Sequence, residues 1–243
     1  MLYIIGLGLN IDGISQEGMK MVKKCKRVYL ENYTVSFPYS EGELREKLGI
    51  NKIFLADREF IESEEIVDEA KRLDVALLVY GSPLTATTHI SLMNEATRLN
   101  VKYKIVYSAS VVDAVAGTGL QVYKFGKIAS MPKWDEKNNF TPDSFMEIIK
   151  ENQSINAHSL ILIDIGLEFQ TALTELKISA EKHNIKLSRI VVCQNLGSKH
   201  EKIHYKTIKE LEEFTGVREP YCIIIPGKLH FLEKQFLEGF NLF

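Results

Sequence analysis

Val75-Ala76-Leu77-Leu78-Val79-Tyr80-Gly81-Ser82-Pro83-Leu84-Thr85-Ala86-Thr87-Thr88-His89 is the stretch that sets the fold class. Val75–Tyr80 has no charged or amide side chain, so the strand it predicts is covered on both faces. The Gly-x-Pro turn after it bends the chain sharply, and hydroxyl residues lead into a helix over His89–Leu99. Another strand is expected at Tyr103–Tyr107. Upstream the same alternation recurs. Leu2–Ile5 reads as a buried strand and Ser15 as the cap of a helix through Val22. Arg27–Glu31 is a strand, Ser40–Leu48 a short helix and Ile53–Leu55 a third strand. Ile61–Leu73 carries Ile61, Ile66, Val67, Ala70 and Leu73 at helical spacing. Strands alternating with helices predict a parallel α/β sheet.

Past Gly117-Thr118-Gly119 the texture changes, and a domain boundary is expected near 110–120. Met131–Asn139 reads as a polar loop. Thr141-Pro142-Asp143 predicts a helix start with Thr141 as cap and Pro142 at the first helical position. Strands are expected at Leu160–Ile165, Arg189–Cys193 and Tyr221–Ile225, with helices across Thr171–Asn184 and Thr207–Phe214. Both halves are therefore α/β.

The 243 residues carry 30 Lys and Arg against 32 Asp and Glu. That balance argues against a protein that grips nucleic acid mainly through phosphate contacts. No apolar run approaches the ~20 residues of a membrane span. The N-terminus has no basic segment or small-residue cleavage site of a signal peptide. Cys25, Cys193 and Cys222 suggest no disulfide framework, so the cytosol is the default compartment.

Gly6-Leu7-Gly8-Leu9 follows the first strand, where ligand crevices of open α/β sheets lie. It admits a dinucleotide site, a plain tight turn, or close approach of another ligand. Glu31 ends the second strand where a ribose-binding acid would sit, but position 11 is Ile11 and not the third glycine of the fingerprint. Gly81-Ser82-Pro83 and Ser108-Ala109-Ser110 end neighbouring strands in small residues, which together favour a cleft. His200 and His204 have the spacing of two ligands on one helical face, but lack acidic or cysteine companions; a solvated surface is the simpler reading. His89 and His230 read as helix-start and core-edge residues. No metal site, P-loop or G-x-S-x-G elbow is found.

Several segments closely resemble the diphthine synthase family of tetrapyrrole-methylase-like methyltransferases. They are Gly6-Leu7-Gly8-Leu9, Val28-Tyr29-Leu30-Glu31-Asn32-Tyr33-Thr34, Gly81-x-Pro83 with Ala86–His89, Ser110–Val112 with Ala114–Gly126, and Pro226-Gly227-Lys228-Leu229-His230. The resemblance implies two α/β domains, 1–115 and 116–243, with S-adenosylmethionine in the cleft between them. It implies a homodimer that methylates the amino group of a 3-amino-3-carboxypropyl-histidine of translation elongation factor 2 and releases S-adenosylhomocysteine, without metal, membrane or direct nucleic-acid contact. It assigns no catalytic nucleophile. Carried over by position, cofactor contacts fall at Leu9, Ser82, Thr85, Ser110 and Val111, and in the second domain at Ile163, Leu196 and Tyr221. Ser82 stands where the family usually has aspartate, which implies weaker cofactor binding. Lys124, Lys127, Lys133 and Lys137 are candidates for a docking face, though scattered surface lysine is the simpler reading. The alternatives are a precorrin-type tetrapyrrole methylase and a catalytically silent adaptor that binds the cofactor or the elongation factor.

Overall fold

The structure is a computed structural model that describes residues 1–240. The chain divides into two compact units, Met1–Val112 and a second that begins at Asp113. In the first unit β1 (Leu2–Gly6), β2 (Arg27–Glu31), β3 (Phe54–Ala56), β4 (Val75–Val79) and β5 (Tyr103–Val106) form one sheet in the order β3-β2-β4-β1-β5. Every pairing is parallel, with Ile4 opposite Leu77 on one side and Ile105 on the other.

The uniformly apolar strands have the predicted cause. Leu2, Ile4, Val75 and Leu77 pack on one face against Ile66, Val67, Leu92 and Ala96 of the helices Glu65–Ala70 and Ile90–Arg98. Tyr3, Ile5, Ala76 and Leu78 pack on the other against Val22, Leu44 and Leu48 of Gln16–Lys24 and Glu41–Leu48. Alternate residues of one strand thus feed two cores, and neither face is wetted. Ser15 caps its helix as expected, and Ser40 caps the next in a reciprocal box with Glu43.

One expectation here fails. Ile61–Leu73 is not one helix but two, Arg58–Glu62 and Glu65–Ala70, broken where Glu64 turns left-handed (φ 62). Asp57 caps the first piece through the Phe60 amide, a start signal that the apolar periodicity hid.

The second unit is a mixed sheet. β6 (Ala129–Met131), β7 (Ser159–Ile163), β8 (Arg189–Gln194), β9 (Lys202–Thr207) and β10 (Tyr221–Ile225) lie in the order β6-β7-β10-β8-β9. Only β6–β7 is parallel; β10 runs antiparallel to β7 and β8, and β9 to β8. Phe145, Ile149, Leu173 and Leu176 of Phe145–Ser154 and Phe169–Lys182 build the core with Ile161, Ile190, Val192 and Ile223.

Three readings are corrected in this unit. The supposed loop Met131–Asn139 begins in β6, whose Ala129 and Met131 are buried. Thr141 and Pro142 do not open the helix; it starts at Phe145 after Ser144. His200 and His204 share no helix, because Lys202–Thr207 is a strand in which only Tyr205 is fully buried. His204 stacks on Phe214 at 4.6 Å, and burial lowers its pKa. No helix among the described residues is long and apolar enough to cross a membrane.

Candidate functional site

β4, β1 and β5 are neighbours, so their carboxyl ends and the loops after them lie side by side. The connection from β1 leads toward β2 and the one from β4 toward β5, in opposite directions and over opposite faces. Ligands of open α/β sheets bind where connections diverge in this way. Leu9, Ser82, Thr85 and Ser110 fall in these loops and Val111 opens the short helix Val111–Ala114 that follows, so the first unit brings its five predicted residues to one end of one sheet.

The glycines have a specific reason. The Gly8 and Gly81 backbones pair directly, Gly8 N donating to Gly81 O at 3.2 Å and Gly81 N to Gly8 O at 3.0 Å. A Cβ on Gly6 would stand 2.6 Å from the Gly81 carbonyl oxygen, 2.9 Å from Pro83 Cδ and 3.0 Å from Ser108 Cβ. Gly8 has φ 70, and its Cβ would stand 2.9 Å from Gly13 Cα. The packing gives these glycines a structural reason of their own: loop meets loop over Gly6 and Gly8.

Further bonds fix the same loops. Ser108 Oγ donates to the Gly13 carbonyl at 2.9 Å, and Tyr80 Oη to the Leu9 carbonyl at 2.9 Å. His89, buried, donates from Nδ1 to the Pro83 carbonyl at 3.2 Å. Ala86 holds a left-handed conformation (φ 55) within this frame. The hydroxyls of Ser82 and Thr85, both half-buried, make no hydrogen bond among the described residues. They are open donors and acceptors on a rigid loop, which fits a polar ligand seated there.

Glu31 does not bind ribose. It is buried, and its oxygens accept from the amides of Tyr33 (3.2 Å) and Thr34 (2.9 Å) and from Thr34 Oγ1 (2.8 Å). The Tyr-x-Glu-x-Tyr-Thr segment is thus a carboxylate-capped turn.

In the second unit Ile163 closes β7, Leu196 follows β8 and Tyr221 opens the antiparallel β10. The register puts Tyr221 beside Gln194 and Cys222 beside Leu162, so the three residues gather at one sheet end. Tyr221 is turned into the core, stacked edge-on against Phe169, with its hydroxyl donated to the Leu167 carbonyl at 2.8 Å. Burial raises its pKa. What it has left for a ligand is main chain.

The segments Gly117–Gly126 and Pro226–His230 meet at the opposite end of that sheet, over a residue that local pattern reading missed. Glu233, 1% exposed, lies on the helix Phe231–Gly239. It accepts from Lys124 Nζ, from the Gln121 amide at 3.0 Å and from the His230 amide at 2.7 Å. His158 Nδ1 accepts from the Gly227 amide at 2.9 Å, so its proton is on Nε2 and goes to Glu233 Oε1 at 3.2 Å. Burial pushes the Glu233 carboxyl up; Lys124 and the amides outweigh it and hold the pKa at about 2. Burial lowers the pKa of His158, partly offset by Glu233. Lys124 is half-buried and ion-paired with Glu233; Lys127 pairs with Glu151, and Lys133 donates to the Gly166 carbonyl at 3.2 Å. The signal that could have found Glu233 is its spacing from His230, that of a capping box.

Residues 1–212 match the family model for Tetrapyrrole (Corrin/Porphyrin) Methylases. A probable diphthine methyl ester synthase of Arabidopsis thaliana is 37% identical, over 99% of this chain and 98% of its own. The diphthine synthase of Methanocaldococcus jannaschii is 35% identical, over 98% of both chains. The chain belongs to the diphthine synthase family of tetrapyrrole methylases. A crystal structure of diphthine synthase, 31% identical, matches with a TM-score of 0.89 over 98% of this chain and 95% of the other. As a family member the chain is a methyltransferase of diphthamide biosynthesis, and its two α/β sheets are those of the family fold. Among the described residues no cluster of three His, Cys, Asp or Glu is placed to hold a metal ion.

Proposed function

We propose that the chain transfers methyl groups from S-adenosylmethionine to the amino group of the 3-amino-3-carboxypropyl chain on a histidine of elongation factor 2, giving diphthine. Near-full-length similarity to diphthine synthases carries this reading. The open hydroxyls of Ser82 and Thr85 at the carboxyl end of the first sheet support a hydrogen-bonding cofactor there, with Leu9, Ser110 and Val111 beside the same strand ends. Contacts from Ile163, Leu196 and Tyr221 belong to the same proposal. A homodimer working in the cytosol belongs to the same reading.

When bound, the cofactor supplies an electrophilic methyl on a sulfonium and leaves as a neutral thioether. The attacking amine must be unprotonated, since only its lone pair can form the new bond. The part that falls to the chain is placement: rigid loops around Gly6 and Gly8 hold the Ser82 and Thr85 hydroxyls in fixed positions, the kind of pre-ordering that proximity effects need. No side chain need become covalently attached.

The names of the relatives favour weighing a second product. The Arabidopsis protein is named a probable diphthine methyl ester synthase, the archaeal one a diphthine synthase. An ester would require methylation of a carboxylate oxygen as well. Incubating unmethylated elongation factor 2 with labelled cofactor and weighing the intact product tests both. Labelled factor is expected; mild alkali removes an ester methyl and leaves N-methyls. Label on a precorrin and not on the factor would overturn the reading, and cofactor binding without transfer would favour an adaptor.

Ser82 makes a separate prediction. A charge-assisted bond contributes roughly 1.5–3 kcal/mol against about 1 for a neutral one. Ser82→Asp, which offers a carboxylate to the cofactor's ammonium, is expected to tighten S-adenosylhomocysteine binding by about tenfold in calorimetry. Unchanged or weaker affinity would show that position 82 does not face the ammonium.

A further inference from the structure

β8 ends at Gln194, and the chain turns at once through two left-handed residues, Asn195 (φ 50) and Gly197 (φ 74). The turn is tied on every side. Asn195 N donates to the Pro220 carbonyl at 2.9 Å and Ser198 N to the Asn195 carbonyl at 3.0 Å. Gly197 N donates to Glu201 Oε2 at 2.6 Å, and Gln194 Oε1 accepts from the Arg218 amide at 3.1 Å. The exception is the side-chain carbonyl of Asn195. The residue is 7% exposed, yet Oδ1 accepts nothing among the described residues. Buried acceptors are nearly always satisfied, because an unpaired one forfeits its hydration without return. Left-handed asparagines are usually excused by a local side-chain bond to the backbone. Here none is made, so the amide is held ready for something else.

We propose that Asn195 binds the cofactor, its side-chain carbonyl accepting a hydrogen bond from the exocyclic amine of the adenine. The inference rests on the methyl-donor reading above. Asn195 adjoins buried Leu196, at the sheet end where Ile163 and Tyr221 also lie. A neutral carbonyl beside an apolar side chain suits a neutral aromatic amine, which donates only. An ammonium or a sulfonium would call for a formal negative charge. Ribose hydroxyls, which both donate and accept, have no need of a pure acceptor.

The test compares S-adenosylhomocysteine with its 6-deamino analogue, in which hydrogen replaces the amine, by calorimetry on the full chain and on Asn195→Gly. Glycine removes the side chain and tolerates the left-handed backbone. The wild type is expected to bind the parent about tenfold more tightly than the analogue, and the variant to bind both equally at the weaker level. The same discrimination in both proteins would overturn the assignment to Asn195, and so would its absence in the wild type, a comparison that stands even where the variant fails to fold. A wild type that binds no S-adenosylhomocysteine would instead overturn the methyl-donor reading.

Discussion

Gly6→Ala is expected to cost the first unit about 3 kcal/mol, the upper end of what overpacking does, and to lower its urea midpoint accordingly. The new methyl would meet Gly81 O at 2.6 Å, Pro83 Cδ at 2.9 Å and Ser108 Cβ at 3.0 Å. None of these is the far end of a flexible side chain. Each belongs to a loop held elsewhere: Gly81 by its pairing with Gly8, Pro83 by His89, Ser108 by Gly13. Relief therefore requires loops after β4 and β5 to part from β1, and these loops carry Ser82, Thr85 and Ser110. Cofactor affinity should fall with stability, even in the fraction that remains folded. Gly42→Ala is the control. It lies in the helix Glu41–Leu48 with only Ser40 Oγ near, at 3.9 Å, so alanine should stabilise by about 0.5–1 kcal/mol through helix propensity. A Gly6→Ala protein with an unchanged circular-dichroism midpoint would refute the packing argument.

The contrast between the two units shows what in this fold was readable. The first unit's central strands are buried on both faces, and a short apolar run such as Val75–Val79, bounded by a charged residue and a turn, fits that setting. Their parallel order and the ligand end of the sheet follow from the alternation with helices. In the second unit β9 has the pattern Lys202-Ile203-His204-Tyr205-Lys206-Thr207, a half-exposed edge strand whose period of two is weak. Its histidine spacing was more conspicuous than its alternation. The antiparallel arrangement of β10 could not be inferred from an apolar run, since Tyr221–Ile225 reads the same in either direction. Among the site residues, the first-unit loops stood out because glycine and proline mark sharp turns. Glu31 was ambiguous, because a carboxylate at a strand end looks alike whether it binds a ligand or caps its own turn. The capping-box spacing from His230 marks Glu233 only as a helix start, and nothing local marks Asn195: their significance lies in partners more than a hundred residues away, or in the lack of one.

Removing the Glu233 carboxylate is expected to have the largest effect in the second unit. Glu233→Ala leaves the Lys124 ammonium half-buried without its counter-charge and unpairs the His158 Nε2 proton and two amides. Breaking a buried ion pair on one side costs about 3–5 kcal/mol. Glu233→Gln keeps an acceptor and should lose roughly half as much. The pH dependence separates this charge from mere packing. The carboxyl pKa falls from 4.5 unfolded to about 2 folded, so its stabilisation is complete above about pH 4.5 and lost as pH drops toward 2. A tenfold change in proton affinity corresponds to about 1.4 kcal/mol, so the carboxylate contributes about 3–4 kcal/mol over that range. His158, also lowered, adds an earlier loss with the same sign, beginning as pH falls below its ordinary 6.5, because the unfolded imidazole takes up a proton that the buried one refuses. The protein has one tryptophan, Trp134, and it lies in the second unit, so its fluorescence follows this unit's unfolding. Urea midpoints measured at neutral pH, near pH 5.5 and near pH 3.5 should decline in two steps for the wild type. Glu233→Gln should show a smaller lower step, since Asp143 and Glu210 of the same unit are also held below the ordinary carboxylate range, and a lower step of full size in that variant would mean that another carboxylate supplies it.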